Sequence, residues 1–255
     1  MKILTKVFFA SLFLSLLGCA ARTKAPQSSF PVKHDQWERL LQSHVKPEGW
    51  VDYKGFIEDS ALLNQYLDLL SSAHPNDKHW SKHEQLAYWI NAYNAFTVRL
   101  IIRHYPVESI KKVTWTVPLL NSPWKINFIS IQGETYNLGN IEHDILRKKF
   151  AEPRIHFAIN CASYSCPPLS NHAYTADSID DQLQQAATRF VNDPLRNRIT
   201  TDKVKVSSIF LWFRGDFTKD GSLHDFLNQY SRTKIRPGQH IGYLKYDWSL
   251  NDLRE

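Results

Sequence analysis

Ser81-Lys-His-Glu-Gln-Leu-Ala-Tyr-Trp-Ile-Asn-Ala-Tyr-Asn-Ala-Phe-Thr-Val-Arg-Leu-Ile-Ile-Arg-His104 is the longest helical signal in the sequence. Ser81 suits an N-cap, and Glu84 follows at the spacing where hydroxyl and carboxylate satisfy each other's backbone amides. Leu86, Trp89, Ile90, Tyr93 and Ile101 supply apolar positions, and Pro106 cannot continue the helix. At about 100° per residue, Glu84 and Asn91 fall within about 20° of each other and Asn94 within about 80°, a polar stripe on an otherwise apolar helix. A buried amide is costly unless bonded, so the stripe either orients a catalytic group or substrate, or holds backbone groups of neighbouring loops.

Before this helix, Trp37, Leu40 and Leu41, then Leu62, Leu63, Tyr66, Leu67 and Leu70 recur at helical spacing around the turn-rich stretch 47–55, which predicts two amphipathic helices joined by a loop. After it, strands are predicted at 113–117 and 126–131, with a hairpin turn at Gly133 and a short helix over 141–150 capped by Asn140. Residues 154–160 alternate, with Ile155, Phe157 and Ile159 on one face and His156, Ala158 and Asn160 on the other, the pattern of a strand. A helix over 178–191, a strand over 203–207 and an aromatic-rich segment over 209–217 follow. Helices interspersed irregularly with a few short strands give an α+β domain, with a helical N-terminal part and a small antiparallel sheet. Neither a glycine-rich phosphate loop nor a nucleophile-elbow motif occurs.

The apolar fraction of 43% over 255 residues is ample for a packed core and excludes disorder throughout. The formal charge of +6 is spread without a dense basic run, so nucleic acid is not an expected partner. Lys2 and Lys6, an apolar run over 7–17 and the small residues Gly18, Cys19 and Ala20 have the three parts of an export signal. Leu16-Leu17-Gly18-Cys19 resembles the bacterial lipobox. Residues 1–18 are therefore read as a lipoprotein signal peptide, Cys19 as the lipidated residue and 19–29 as a flexible tether. One globular domain then occupies 30–255. By resemblance to lipoprotein sorting, Ala20 points to the periplasmic face of the outer membrane. That leaves Cys161 and Cys166 in a compartment where disulfides are permitted.

Chemistry concentrates in His156-Phe-Ala-Ile-Asn160-Cys161-Ala-Ser-Tyr-Ser165-Cys166-Pro167-Pro168. A thiol becomes a nucleophile when a nearby base or dipole favours the thiolate. On a strand, His156 and Asn160 are separated by roughly 13 Å, so His156 reaches Cys161 only if the chain folds back, and His143 is an equal candidate. His143 and Arg147 share a face of their helix, and Glu142 either holds a histidine or complements the helix dipole. The two cysteines equally suit a structural disulfide closing a small loop. No zinc pattern appears among the eleven histidines, and no metal or cofactor is expected.

The blocks 89–95, 140–147, 153–168 and 246–251, in this order, resemble the signature blocks of the domain-of-unknown-function family numbered 547. The resemblance implies a papain-like or transglutaminase-like core in which a cysteine and a histidine from different elements meet beside a polar orienting residue. The positions it marks are Glu84, Asn91, Asn94, Glu142, His143, Arg147, Arg154, His156, Asn160, Cys161, Ser165 and Cys166. The expected activity is a thiol-dependent hydrolase or acyl transferase acting on a small peptide or amide-like ligand, glutathione-like or derived from peptidoglycan. Cys161 or Cys166 is the expected nucleophile, with His156 or His143 as base and Glu142 as orienting residue; Glu84, Asn91, Asn94, Arg147, Arg154, Asn160 and Ser165 are the expected substrate contacts. Backbone amides of the 161–166 loop are the expected oxyanion donors. A binding lipoprotein with a Cys161–Cys166 disulfide and a dithiol redox protein are the alternatives, and the sequence leaves the oligomeric state open.

Overall fold

The computed structural model describes residues 29–113 and 122–253; the leader 1–18, Cys19, nearly all of the tether and most of the predicted strand 113–117 lie outside the described residues. The first half is built from helices α1 (Asp35–His44), α2 (Tyr53–Glu58), α3 (Ser60–Ser72) and α4 (Lys82–Ile102). The capping box forms: Glu84 N donates to Ser81 Oγ at 3.2 Å and Ser81 N donates to Glu84 Oε2 at 2.6 Å. Nearly every residue of α4 from Gln85 to Ile101 is buried, because α2 and α3 pack on it from one part of the fold and later elements from another. The loop expected between the first two helices contains α2, started by Asp52, whose side chain accepts from Gly55 N.

Strands β1 (Ile129–Ile131) and β2 (Glu134–Tyr136) form the predicted hairpin. Its turn residues Gln132 and Gly133 have φ of 46° and 78°, the left-handed pair that matches strand twist in a two-residue loop. The predicted short helix follows as Asn140–Phe150, a π-helix, a rare form that tends to occur at functional sites.

The predicted strand over 154–160 is a correction. Pro153–Phe157 is a 3-10 helix, begun by a proline whose fixed φ suits a first helical position and by the Glu152 side chain, which accepts from Arg154 N. Residues 155–160 are buried without a solvent face, so the alternation of apolar and polar residues reflects bonded polar groups in a crowded interior.

The remainder comprises α5 (Ile179–Val191), β3 (Arg198–Ile199), β4 (Val204–Val206), α6 (Ile209–Trp212), α7 (Arg214–Phe217), α8 (Leu223–Tyr230) and β5 (Ile241–Tyr243). Strand β4 pairs antiparallel with β3 and parallel with β5, so the fold is α+β with one antiparallel hairpin and one mixed three-stranded sheet. Two apolar clusters result. One gathers α1 to α4, the hairpin and the π-helix; the other gathers Phe157, Phe190, Phe210, Phe217 and Phe226 from the second half. The cysteine loop lies at their seam, and the chain end returns to hold it: Tyr164 N donates to Ser249 O, Ser165 N to Asp247 O and Asn251 N to Ala162 O.

Candidate active site

A cleft of about 560 Å³ opens at this seam, and Glu142, His143, His156, Cys161 and Cys166 all line it. The structure thus brings the five expected catalytic residues together from three separate segments.

Cys161 and Cys166 are free thiols with their sulfurs 3.0 Å apart. Cys161 Sγ also has Ser163 Oγ at 3.2 Å and the Tyr246 hydroxyl at 3.4 Å, and these two hydroxyls lie 2.9 Å from each other. The hydrogen bond from Cys166, opposed by burial and helped by Ser163 and Tyr246, brings the Cys161 thiol down to about 7. Cys166 moves the opposite way: burial, then the loan of its proton to Cys161, raises it well above the ordinary thiol range. Cys161 is therefore the thiolate of the pair and Cys166 its donor. Ala162, directly after Cys161, is fully buried at φ 59°, a left-handed conformation that a non-glycine residue keeps only when its surroundings impose it. Those surroundings are Asn160 Oδ1, which accepts from Ala162 N, and Arg196, whose guanidinium donates to Cys166 O at 2.6 Å and Tyr164 O at 2.8 Å.

His156 is buried, stacked on Phe213 with ring centroids 4.1 Å apart, and its Nε2 lies 2.7 Å from Asp216 Oδ2. Arg147 grips the same carboxylate through Nε at 2.6 Å and Nη2 at 3.0 Å. Burial by itself would raise Asp216, but the bonds from His156 and Arg147 outweigh it and hold the carboxyl well below its usual range. Burial lowers His156 despite the pull of Asp216. A neutral imidazole whose Nε2–H donates to Asp216 satisfies both, and leaves Nδ1 as the unprotonated nitrogen. His143 stands exposed at the mouth, its Nδ1 3.3 Å from Arg147 Nη1, and burial followed by the Arg147 charge lowers it. Among the described residues, neither histidine is hydrogen-bonded to a sulfur.

Glu142 is bonded to neither histidine. Its carboxylate accepts from the Tyr93 hydroxyl at 3.1 Å, and that hydroxyl accepts from Trp124 Nε1 at 3.2 Å. Burial, then the neighbouring Cys161 charge, pushes Glu142 up to about 7.

The remaining expected contacts lie outside the lining of the cleft. Glu84 caps α4. Asn91 bonds both backbone groups of Tyr174, and Asn94 bonds Ala158 O and Asn160 N. Asn160 bonds Pro167 O, Arg154 pairs with Glu152 and Asp180, Ser165 Oγ accepts from Asp247 N, and Arg147 is spent on Asp216. The expected oxyanion donors are a further correction. The amides of Cys161, Ala162, Tyr164, Ser165 and Cys166 are bonded to Cys166 Sγ, Asn160 Oδ1, Ser249 O, Asp247 O and Ser163 O, and that of Ser163 serves Cys161. The side-chain hydroxyls beside the nucleophile among the described residues are those of Ser163 and Tyr246. Among the described residues, no group of three or more histidine, cysteine or acidic side chains could hold a metal ion.

Residues 78–191 match the family model described as "Protein of unknown function, DUF547". That segment carries the family's domain. No curated protein and no solved structure matches the chain. The DUF547 segment runs from just before α4 to the end of α5 and contains Tyr93, Glu142, His143, His156, Cys161 and Cys166. Asp216, Trp212 and Tyr246 come from beyond it. Tyr246 opens the sequence block 246–251, whereas Asp216, in the aromatic segment 209–217, carries no local sign of its pairing with His156.

Proposed function

We propose that this chain is an exported, lipid-anchored thiol hydrolase or acyl transferase acting on an amide or peptide-like substrate. The observation that carries this reading is a thiol brought down to about 7 in a cleft it shares with a buried, carboxylate-oriented histidine. Cys161 Sγ attacks the carbonyl carbon, and the developing oxyanion takes the Tyr246 hydroxyl as donor. The Cys161 proton passes to the bare Nδ1 of His156 as the sulfur attacks, while Nε2–H stays on Asp216. The imidazolium so formed returns that proton to the departing amine as the thioester forms, and the neutral ring then takes a proton from the water or acceptor that receives the acyl group. No hydrogen bond joins His156 to the sulfur before substrate enters, which such sites tolerate because catalytic contacts tighten in the complex. The papain-like reading of the core rests on this same meeting of a cysteine and a histidine–aspartate pair from different segments. Export and anchoring at the outer membrane rest on residues 1–20.

A dithiol redox function is the second reading, favoured by the 3.0 Å approach of the sulfurs. Brief iodoacetamide treatment of reduced 30–255 protein with peptide mapping, followed by incubation with small peptides and amides, separates the two. Selective labelling of Cys161 and turnover lost in Cys161→Ser but kept in Cys166→Ser supports the hydrolase. Turnover of thiols and disulfides that needs both cysteines, without amide cleavage, replaces it by the redox reading.

A further inference from the structure

The Glu142 carboxyl is left unused by the steps above. It is 7% exposed, its Oε2 takes one bond from Tyr93, and its Oε1 has no hydrogen-bond partner among the described residues although it is not sealed from solvent. It lines the cleft, so that oxygen is available there. Arg147, whose charge acts on Glu142, is committed elsewhere, locked on Asp216. Lys125 at the mouth is exposed. A buried carboxyl without a counter-charge is costly, and an arrangement that keeps one in the lining of a cleft suits a ligand that supplies the missing positive charge.

The walls around it point the same way. Tyr93, Trp124, Trp212, Phe213, Tyr246 and Trp248 line the cleft. Trp212, Tyr246 and Trp248 contact one another with centroids 4.5 to 5.7 Å apart, and Trp212 is 47% exposed. Two of these rings already carry cations of the protein itself: Lys111 Nζ sits 5.0 Å from Trp248 and the Arg147 guanidinium 5.0 Å from Phe213. Ring faces together with a carboxylate are the usual surroundings of a bound ammonium group.

We infer that Glu142 and the aromatic walls form a recognition subsite for a primary ammonium group, so that the substrates of the Cys161 site are acyl compounds with a free amine near the scissile carbonyl, such as peptides with an unblocked N-terminus. This deepens the hydrolase reading by assigning its substrate class. An ammonium ion in the subsite also removes the conflict between the Glu142 and Cys161 charges, allowing both groups to be ionised together.

The test measures binding rather than turnover. Leucinamide and its des-amino analogue 4-methylpentanamide are titrated into the 30–255 protein at pH 6.5 by calorimetry, with the tryptophan fluorescence of the cleft as a second signal. Leucinamide is expected to bind at least tenfold more tightly. The preference should vanish in Glu142→Gln and persist in Asp144→Asn, which removes the exposed carboxylate at the mouth. Equal affinities, no binding of either compound, or a preference that survives Glu142→Gln overturns the inference. Should Glu142→Gln fail to fold, the wild-type ligand pair and Asp144→Asn still decide: a preference lost in Asp144→Asn assigns the ammonium to the mouth instead. A clear preference without amide cleavage would sink the hydrolase reading and leave the subsite standing.

Discussion

The depressed Cys161 thiol is the feature from which the chemistry follows, and replacing its principal donor tests it. In Cys166→Ala the hydrogen bond between the sulfurs, now 3.0 Å apart, is gone, while Ser163 and Tyr246 remain. A hydrogen bond to an ionised acceptor is worth about 1.5–3 kcal/mol, equivalent to roughly 1–2 pH units at about 1.36 kcal/mol each. The midpoint of Cys161 ionisation should therefore climb from about 7 to roughly 8–9. At pH 7 the thiolate fraction falls from about one half to about one tenth or less. Cys166→Ser, which restores a donor, should fall between the two. The assay is the rate of iodoacetamide alkylation of reduced 30–255 protein between pH 5 and 10, followed by mass spectrometry; in both variants Cys161 is the only cysteine in that segment. A midpoint unmoved in Cys166→Ala would show that the second thiol does not hold the thiolate, and the assignment of Cys161 as nucleophile and Cys166 as donor would fall with it.

Asp216→Asn should leave that alkylation profile nearly intact while lowering kcat/KM on a cleaved amide by roughly 10³–10⁴, the order expected when the carboxylate orienting a catalytic histidine is replaced; a loss confined to KM, or no loss, would count against the His156–Asp216 pair as the proton relay. Glu142, raised from 4.5 to about 7, contributes stability present below its unfolded value and lost as pH rises through 7, at most about 3 kcal/mol. Thermal melts of Glu142→Gln should accordingly gain on wild type between pH 4.5 and 8, by roughly 5–10 °C, and parallel melting curves would contradict the buried-carboxyl account. At Gly49, φ is 90° and a Cβ would stand 2.4 Å from Pro168 Cβ, directly behind the cysteine loop. Gly49→Ala should cost about 2 kcal/mol or more and slow Cys161 alkylation, and chemical denaturation at wild-type midpoint would show that this packing does not brace the site.

Local order was legible in the sequence wherever its cause was local. The box of Ser81 and Glu84, the apolar period of α4 and the left-handed turn at Gly133 each depend on residues within a few positions of one another, and each element stands where those residues predict. The cluster of cysteine, histidine and carboxyl candidates was also visible, since residue type alone singles out groups that can exchange protons. What the sequence did not disclose is how each polar group is spent. Asn91 and Asn94 meet backbone groups 83, 64 and 66 positions away, Asp216 meets His156 across 60, and Tyr246 reaches Cys161 across 85. The alternation over 154–160 likewise has two physical causes, a half-exposed strand or a wholly buried segment whose polar groups are bonded, and nothing within those seven residues distinguishes them. Periodicity reports which side of an element is apolar; only the packing of distant segments determines which donor faces which acceptor. The tertiary structure therefore decided that Cys161 holds the low thiol, that His156 is oriented by Asp216, and that Glu142 lines the cleft with no cation bonded to it among the described residues.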